Sequence, residues 1–106
     1  MTKISFERSN GVLYRVTVTG HSGYAEAGSD IVCAAISQTV NTASAILTAG
    51  GCEHKVSIGK LTPTVILELC DTENAIGKAV LEGVFQTLTE LAGEYSDNVK
   101  VTAVSR

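Results

Sequence analysis

Tryptophan is absent from this 106-residue chain, proline and methionine occur once each, and aromatic residues make up only 5%. No run of about 20 consecutive apolar residues is present, which a membrane-spanning helix requires. The segment Met1-Thr2-Lys3-Ile4-Ser5 also lacks the apolar core of a signal peptide. We therefore expect a cytoplasmic protein with no membrane partner.

Basic residues are also scarce. The chain has 8 Lys and Arg against 11 Asp and Glu, for a formal net charge of −3. The basic residues form no cluster, whereas binding to nucleic-acid phosphates needs a concentrated basic patch. We therefore expect no direct contact with nucleic acid.

Cysteine is limited to Cys33, Cys52 and Cys70. The odd number and the lack of CxxC spacing argue against both a disulfide framework and a zinc knuckle. Free thiols fit a reducing compartment. No cysteine or histidine pair has the local spacing of metal ligands, so we expect no metal and no other cofactor. Cys52 and Cys70 are predicted to be core-facing strand residues.

The hydrophobic content of 44% is sufficient for one domain over residues 1–106. Alternating apolar residues predict strands, and the Asn10-Gly11 turn predicts that the first two form a hairpin. In the second strand, strict alternation places Leu13 opposite Val12 and Val16. The predicted order is strand, strand, helix, strand, strand, helix, strand, which indicates an α+β fold with a mixed or antiparallel sheet and both helices on one face.

One stretch, residues 20–37, carries most of the unusual chemistry. Its glycines predict a loop, and Ser29-Asp30 before an apolar run predicts a helix start with Asp30 as the N-cap. The helix is predicted to run from Ile31 to about Thr48, where glycines follow. Cys33 then lies in the first helical turn.

A thiol in the first turn of a helix lies beside unpaired backbone N–H groups and the positive end of the helix dipole, which favour a thiolate. The same N–H groups could stabilise an oxyanion. His21 lies upstream across the glycine-rich loop and is a candidate base. The alternative is that Cys33 is a small buried hydrophobe, because it lies at helical spacing from Ile36 and Val40. His54 is a rival base, ranked below His21.

The residues Gly20-His21, Gly28, Asp30, Val32-Cys33-Ala34-Ala35 and Ser37 together resemble the signature of the ribosomal-processing cysteine protease family, Prp. Ser22 departs mildly from this pattern, in which a small alanine often follows the histidine. The resemblance implies a cysteine endopeptidase that removes the N-terminal extension of a ribosomal large-subunit protein. It also implies a homodimer.

The resemblance assigns His21 and Cys33 as catalytic residues. Asp30 and Ser37 are supporting residues, Asp30 acting as a helix cap, as a group that orients His21, or as both. The predicted substrate loop contains Gly20, Ser22, Gly23, Tyr24 and Gly28. A noncatalytic adaptor that binds a peptide or a ribosome-assembly partner through a sheet edge or this loop is the alternative function.

Overall fold

The computed structural model describes residues 1–20, 30–59 and 63–106. The predicted order of elements is confirmed. The elements are β1 (Thr2–Ser9), β2 (Val12–Thr19), α1 (Ile31–Ala49), β3 (His54–Gly59), β4 (Thr64–Leu69), α2 (Ala75–Glu94) and β5 (Val99–Ser105).

The five strands form one mixed sheet in the order β3-β4-β2-β1-β5. β1 pairs in parallel with β5, whereas the β1–β2, β2–β4 and β3–β4 pairs are antiparallel. β3 and β5 are therefore the two edge strands of this sheet. The Gly20 N–H donates to the Pro63 carbonyl at 2.8 Å, which places the end of β2 beside the start of β4.

The sheet has a helix-covered face and an uncovered face. Ile4 and Phe6 of β1 are almost fully buried, whereas Lys3, just before Ile4, is exposed and Ser5, between them, is half-buried. The Phe6 ring packs edge-to-face against Phe85 of α2, with centroids 4.9 Å apart. Because successive strand residues point to opposite faces, the core lies between the sheet and the two helices. Its apolar members are Ile4, Phe6, Leu13, Val16, Val32, Ile36, Val40, Ala43, Leu47, Cys52, Leu67, Leu69, Leu81, Val84, Leu88 and Val99.

The prediction for Leu13 was wrong. Leu13 is only 1% exposed and lies in the core together with Val16. The register changes between Glu7, which pairs with Arg15, and Arg8, which pairs with Leu13. Tyr14 is therefore an extra residue on β2, and a β-bulge of this kind moves the preceding side chain to the other face.

A row of charged side chains crosses the uncovered face. Arg15 on β2 donates to Glu7 on β1 and, at 3.0 Å, to Glu68 on β4. Arg106 at the C-terminus donates to Glu7 at 2.9 Å. These contacts join strands across the sheet on the side that the helices leave open.

Helix α1 packs along the helix-covered face of the sheet. One side of it is buried, through Val32, Ile36, Val40, Ala43 and Leu47. By length and mean hydropathy, 1.4 over an 18-residue window, α1 could also cross a membrane. Its buried stripe contributes to the hydrophobic core, however, and this is the ordinary role of such a helix in a globular domain.

Candidate active site

Asp30 caps helix α1 as predicted. Its backbone is extended, with φ −78° and ψ 100°, and its Oδ1 accepts hydrogen bonds from the N–H groups of Val32 and Cys33, each at 3.0 Å. Its carbonyl accepts the first helical hydrogen bond, from Ala34 N–H at 3.1 Å. The Asp30 side chain is buried, so this cap fixes the first turn of α1 from inside the protein.

The cap also changes what the first turn can do chemically. The N–H groups of Val32 and Cys33 were expected to face an oxyanion, but both donate to Asp30. In this arrangement they are therefore not aimed at a reacting carbonyl. The Asp30 carboxylate also offsets part of the positive end of the helix dipole beside Cys33.

Cys33 is half-buried and is not a core residue. The buried stripe of α1 begins at its neighbour Val32, which is 0% exposed. The interpretation of Cys33 as a buried hydrophobe therefore does not fit. Ser37 lies four residues later on the same side of the helix, and its side chain is exposed. Asp30, Cys33 and Ser37 are thus gathered at one end of α1.

Gly20 lies at the other end of the predicted loop, and it is held in place by tertiary contacts. Its φ is +88°, and a Cβ atom built on it would lie 2.8 Å from the Met1 carbonyl oxygen. The position therefore requires glycine for its conformation and for the close backbone approach. The remaining predicted site residues lie outside the described residues; they are His21, Ser22, Gly23, Tyr24 and Gly28.

His54 is engaged far from Cys33. Its Nδ1 donates to the Cys52 carbonyl at 2.9 Å, since that oxygen can only accept. Its Nε2 forms a hydrogen bond with the Ser44 hydroxyl, also at 2.9 Å. Ser44 is eleven residues after Cys33 on α1, which is about 16 Å along the helix axis. His54 therefore ties β3 to α1 and cannot act as the base for Cys33.

The other two cysteines have different environments. Cys52 is buried as predicted, although it lies just before β3 and not within a strand. Cys70 is exposed, so the prediction for Cys70 was wrong. Cys70 follows the buried Leu69 at the end of β4, and the alternation of the strand turns its side chain away from the core. Burial raises the pKa of the Cys52 thiol, and the nearby Asp71 and Cys70 add to the shift.

The three thiols should therefore differ in their reaction with an alkylating reagent. We expect Cys33 to react first at neutral pH if His21 withdraws its proton, and Cys70 to react more slowly as an ordinary exposed thiol. Cys52 should stay unmodified until the pH exceeds the ordinary thiol range or the protein unfolds. Peptide mapping after timed iodoacetamide treatment of the native protein measures this order. Equal slow labelling of Cys33 and Cys70 would contradict an activated Cys33.

The raised pKa of Cys52 also affects stability. The folded state holds the Cys52 thiol proton more tightly than the unfolded state does. The resulting contribution to the free energy of unfolding is fully present below the ordinary thiol pKa of about 8.5. This contribution is lost as the pH rises above that value.

Within residues 1–20, 30–59 and 63–106, no group of three or more His, Cys, Asp or Glu side chains could hold a metal ion.

Comparison with known proteins shows to which family the chain belongs. The model of the cysteine protease Prp family matches residues 1–100. The chain belongs to the Prp cysteine protease family. The ribosomal processing cysteine protease Prp of Bacillus subtilis (strain 168) is 31% identical over 90 residues, which cover 80% of each chain.

Solved structures share the Prp fold described above. One is the essential ribosomal processing protease Prp from S. aureus, in complex with a covalently linked product peptide. It has a TM-score of 0.89 and 22% identity, and the match covers 97% of this chain and 99% of that one. Another is SMU.848 from Streptococcus mutans, with a TM-score of 0.86, 25% identity and coverage of 100% and 96%. The protein is thus a cysteine protease of the Prp family and shares the fold of these structures.

Proposed function

We propose that this protein removes the N-terminal extension of a ribosomal large-subunit protein, with Cys33 as the nucleophile and His21 as the base. The observation that carries the proposal is the Asp30-capped first turn of α1, which presents a half-buried Cys33 outside the core. The relative in Bacillus subtilis is named as a ribosomal processing protease. The relative in S. aureus was solved with a covalently linked product peptide.

In the proposed mechanism, His21 takes the Cys33 proton and the sulfur attacks the scissile carbonyl carbon. The tetrahedral intermediate collapses as the carbon–nitrogen bond breaks, and the His21 imidazolium gives its proton to the leaving amine. Water, deprotonated by His21, then attacks the thioester. The carbon–sulfur bond then breaks, the acid product leaves, and the His21 imidazolium returns its proton to the Cys33 sulfur.

Asp30 contributes to this mechanism in two ways. It holds the first turn through Val32 and Cys33, and its carboxylate, which accepts from the Cys33 N–H, would stabilise an imidazolium that forms beside Cys33 during the reaction. Oxyanion stabilisation requires donors other than the Val32 and Cys33 N–H groups, unless the substrate displaces Asp30. Ser37 lies one helical turn after Cys33 on the same side of α1, and its proposed role is to support the Cys33 thiol.

Incubation with the unprocessed ribosomal protein of the same cell tests the proposal, with intact-mass spectrometry as the readout. We expect one cut by the parent protein and a loss of at least a thousandfold in rate for Cys33→Ala and His21→Ala, since nucleophile and base act as a unit. Cys70→Ala is the matched control, because Cys70 is an exposed thiol outside the site. Stable binding without cleavage would instead support the adaptor function.

We also propose that the protein is a cytoplasmic homodimer. Its support is the outer surface of the helix layer, where an open groove of about 460 Å³ runs between α1 and α2. Ile46 on α1 and Ile76 on α2 are 47% and 40% exposed on this layer. Sedimentation velocity tests the assembly, and Ile46→Lys should shift a dimer towards monomer. A monomer at all concentrations would contradict it.

A further inference from the structure

The edge strand β3 turns apolar side chains towards the helix-covered side of the sheet. Val56 pairs with the fully buried Leu67, and Ile58 pairs with Val65, which packs against the core. Residues directly opposite each other in an antiparallel pair lie on the same face. Val56 and Ile58 therefore continue the core-side row of the sheet to its edge.

The helices do not cover these two side chains. Val56 is 45% exposed, and Ile58, at 73%, is the most exposed large apolar side chain among the described residues. Proteins ordinarily protect an edge strand with charge, proline or a covering element, because its free backbone groups invite another strand. An apolar pair on an open edge is typical of a binding surface.

The exposed pair lies at the active-site end of the sheet. Ile58 is in the same row as Val65 and Val18, and Val18 is two residues before Gly20. His21 follows Gly20 directly in the sequence. At the opposite end of β3, His54 forms a hydrogen bond with Ser44 of α1. The helix therefore lies against the strand at that end.

The side of α1 that faces β3 also carries the nucleophile. Cys33 and Ser37 are eleven and seven residues before Ser44, and both spacings are close to whole helical turns. Since Ser44 contacts His54 on β3, Cys33 and Ser37 point towards the β3 side of α1. This side of α1 and the exposed part of β3 therefore border the same open region on the helix-covered side of the sheet, here called the groove, with Val56 and Ile58 on its sheet side.

We propose that Val56 and Ile58 determine substrate specificity, by receiving apolar side chains of an extended peptide that pairs with the free edge of β3. The proposal rests on the proteolytic function assigned to Cys33. Val56 and Ile58 lie two residues apart, so the matching peptide carries apolar side chains at alternate positions. Backbone hydrogen bonds to the strand edge would supply affinity, and the apolar floor would supply selectivity.

Binding and cleavage can be tested separately. A labelled peptide that spans the N-terminal extension and the first mature residues is titrated into the Cys33→Ala protein, with fluorescence anisotropy as the readout. We expect Ile58→Thr or Val56→Thr, added to Cys33→Ala, to weaken binding about tenfold, since one apolar contact in a specificity pocket has an effect of this size. Threonine keeps the β-branched shape, so the strand should persist.

Val104→Thr is the matched control. Val104 is 46% exposed on the other edge strand, β5, and it pairs with Glu7 on the uncovered face. We expect this control to bind as tightly as the Cys33→Ala protein alone. In the active protein, Ile58→Thr should raise KM about tenfold and leave the rate of Cys33 alkylation unchanged.

The outcomes separate the two proposals. Unchanged peptide affinity in both β3 variants would contradict the proposed role of the groove in peptide binding, whether or not the parent protein cleaves. Loss of a dimer in these variants, with unchanged affinity, also overturns it and makes β3 a contact between subunits. Failure of the parent protein to cleave, with the predicted loss of binding, contradicts the protease assignment while the groove stands.

Discussion

Gly20→Ala should lower the free energy of unfolding by about 2–4 kcal/mol and reduce cleavage strongly. The φ of +88° disfavours any residue with a Cβ atom, and that atom would lie 2.8 Å from the Met1 carbonyl oxygen. Either the start of β1 or the end of β2 must move. Because His21 follows directly, such a movement displaces the proposed base. Urea denaturation and the rate of precursor cleavage measure the two effects.

Gly11→Ala is the control for this substitution. Gly11 has nearly the same φ, +81°, but a Cβ atom there would meet nothing within 4 Å. We expect a loss of only about 1–2 kcal/mol, from the backbone conformation alone, and unchanged cleavage. Equal losses at both positions would contradict a role for the close approach between Gly20 and Met1.

Substitution of Asp30 should separate its structural role from its chemical role. Asp30→Ala removes the acceptor for two N–H groups and should lower stability by about 1–2 kcal/mol, together with a loss of cleavage. Asp30→Asn keeps an oxygen in the cap and should hold stability within about 0.5 kcal/mol of the parent. We expect it to reduce kcat/KM about tenfold to a hundredfold, because the negative charge that we propose stabilises the His21 imidazolium is lost.

Asn74→Ala provides a comparison at the second helix. Asn74 caps α2 and accepts from Gly77 N–H at 3.0 Å. We expect a stability loss of about 1 kcal/mol with unchanged kcat/KM. Full activity in Asp30→Asn would show that Asp30 acts only as a cap, and it would remove this residue from the proposed catalytic chemistry.

The features predicted correctly from the sequence are those that depend on local chemistry. Asp30 was identified as the N-cap because a short acceptor before an apolar run satisfies the first N–H groups of a helix, and the structure confirms it. The alternation of apolar residues likewise predicted the strands, and the Asn10-Gly11 turn predicted the hairpin of β1 and β2. The periodicity of α1 predicted its stripe, although the stripe begins at Val32 and not at Cys33.

The features that could not be predicted depend on contacts between distant segments. Strict alternation failed at Leu13, because the bulge at Tyr14 is visible only in the pairing of β2 with β1. The exposure of Ile58 follows from the position of β3 at the sheet edge, and strand order is not encoded in the local pattern. The sequence marked Gly20 as a loop glycine, but its close approach to Met1 is a tertiary contact.

The central claim is that Cys33 forms a covalent acyl-enzyme, and acid quenching during turnover tests it most directly. The parent protein is mixed with the precursor, quenched within the first turnover and analysed by intact-mass spectrometry and peptide mapping. We expect an adduct equal to the released N-terminal fragment minus one water, attached to Cys33 and removed by hydroxylamine, as a thioester requires. An adduct on Cys70 or Cys52, or cleavage that persists in Cys33→Ala, would contradict the account.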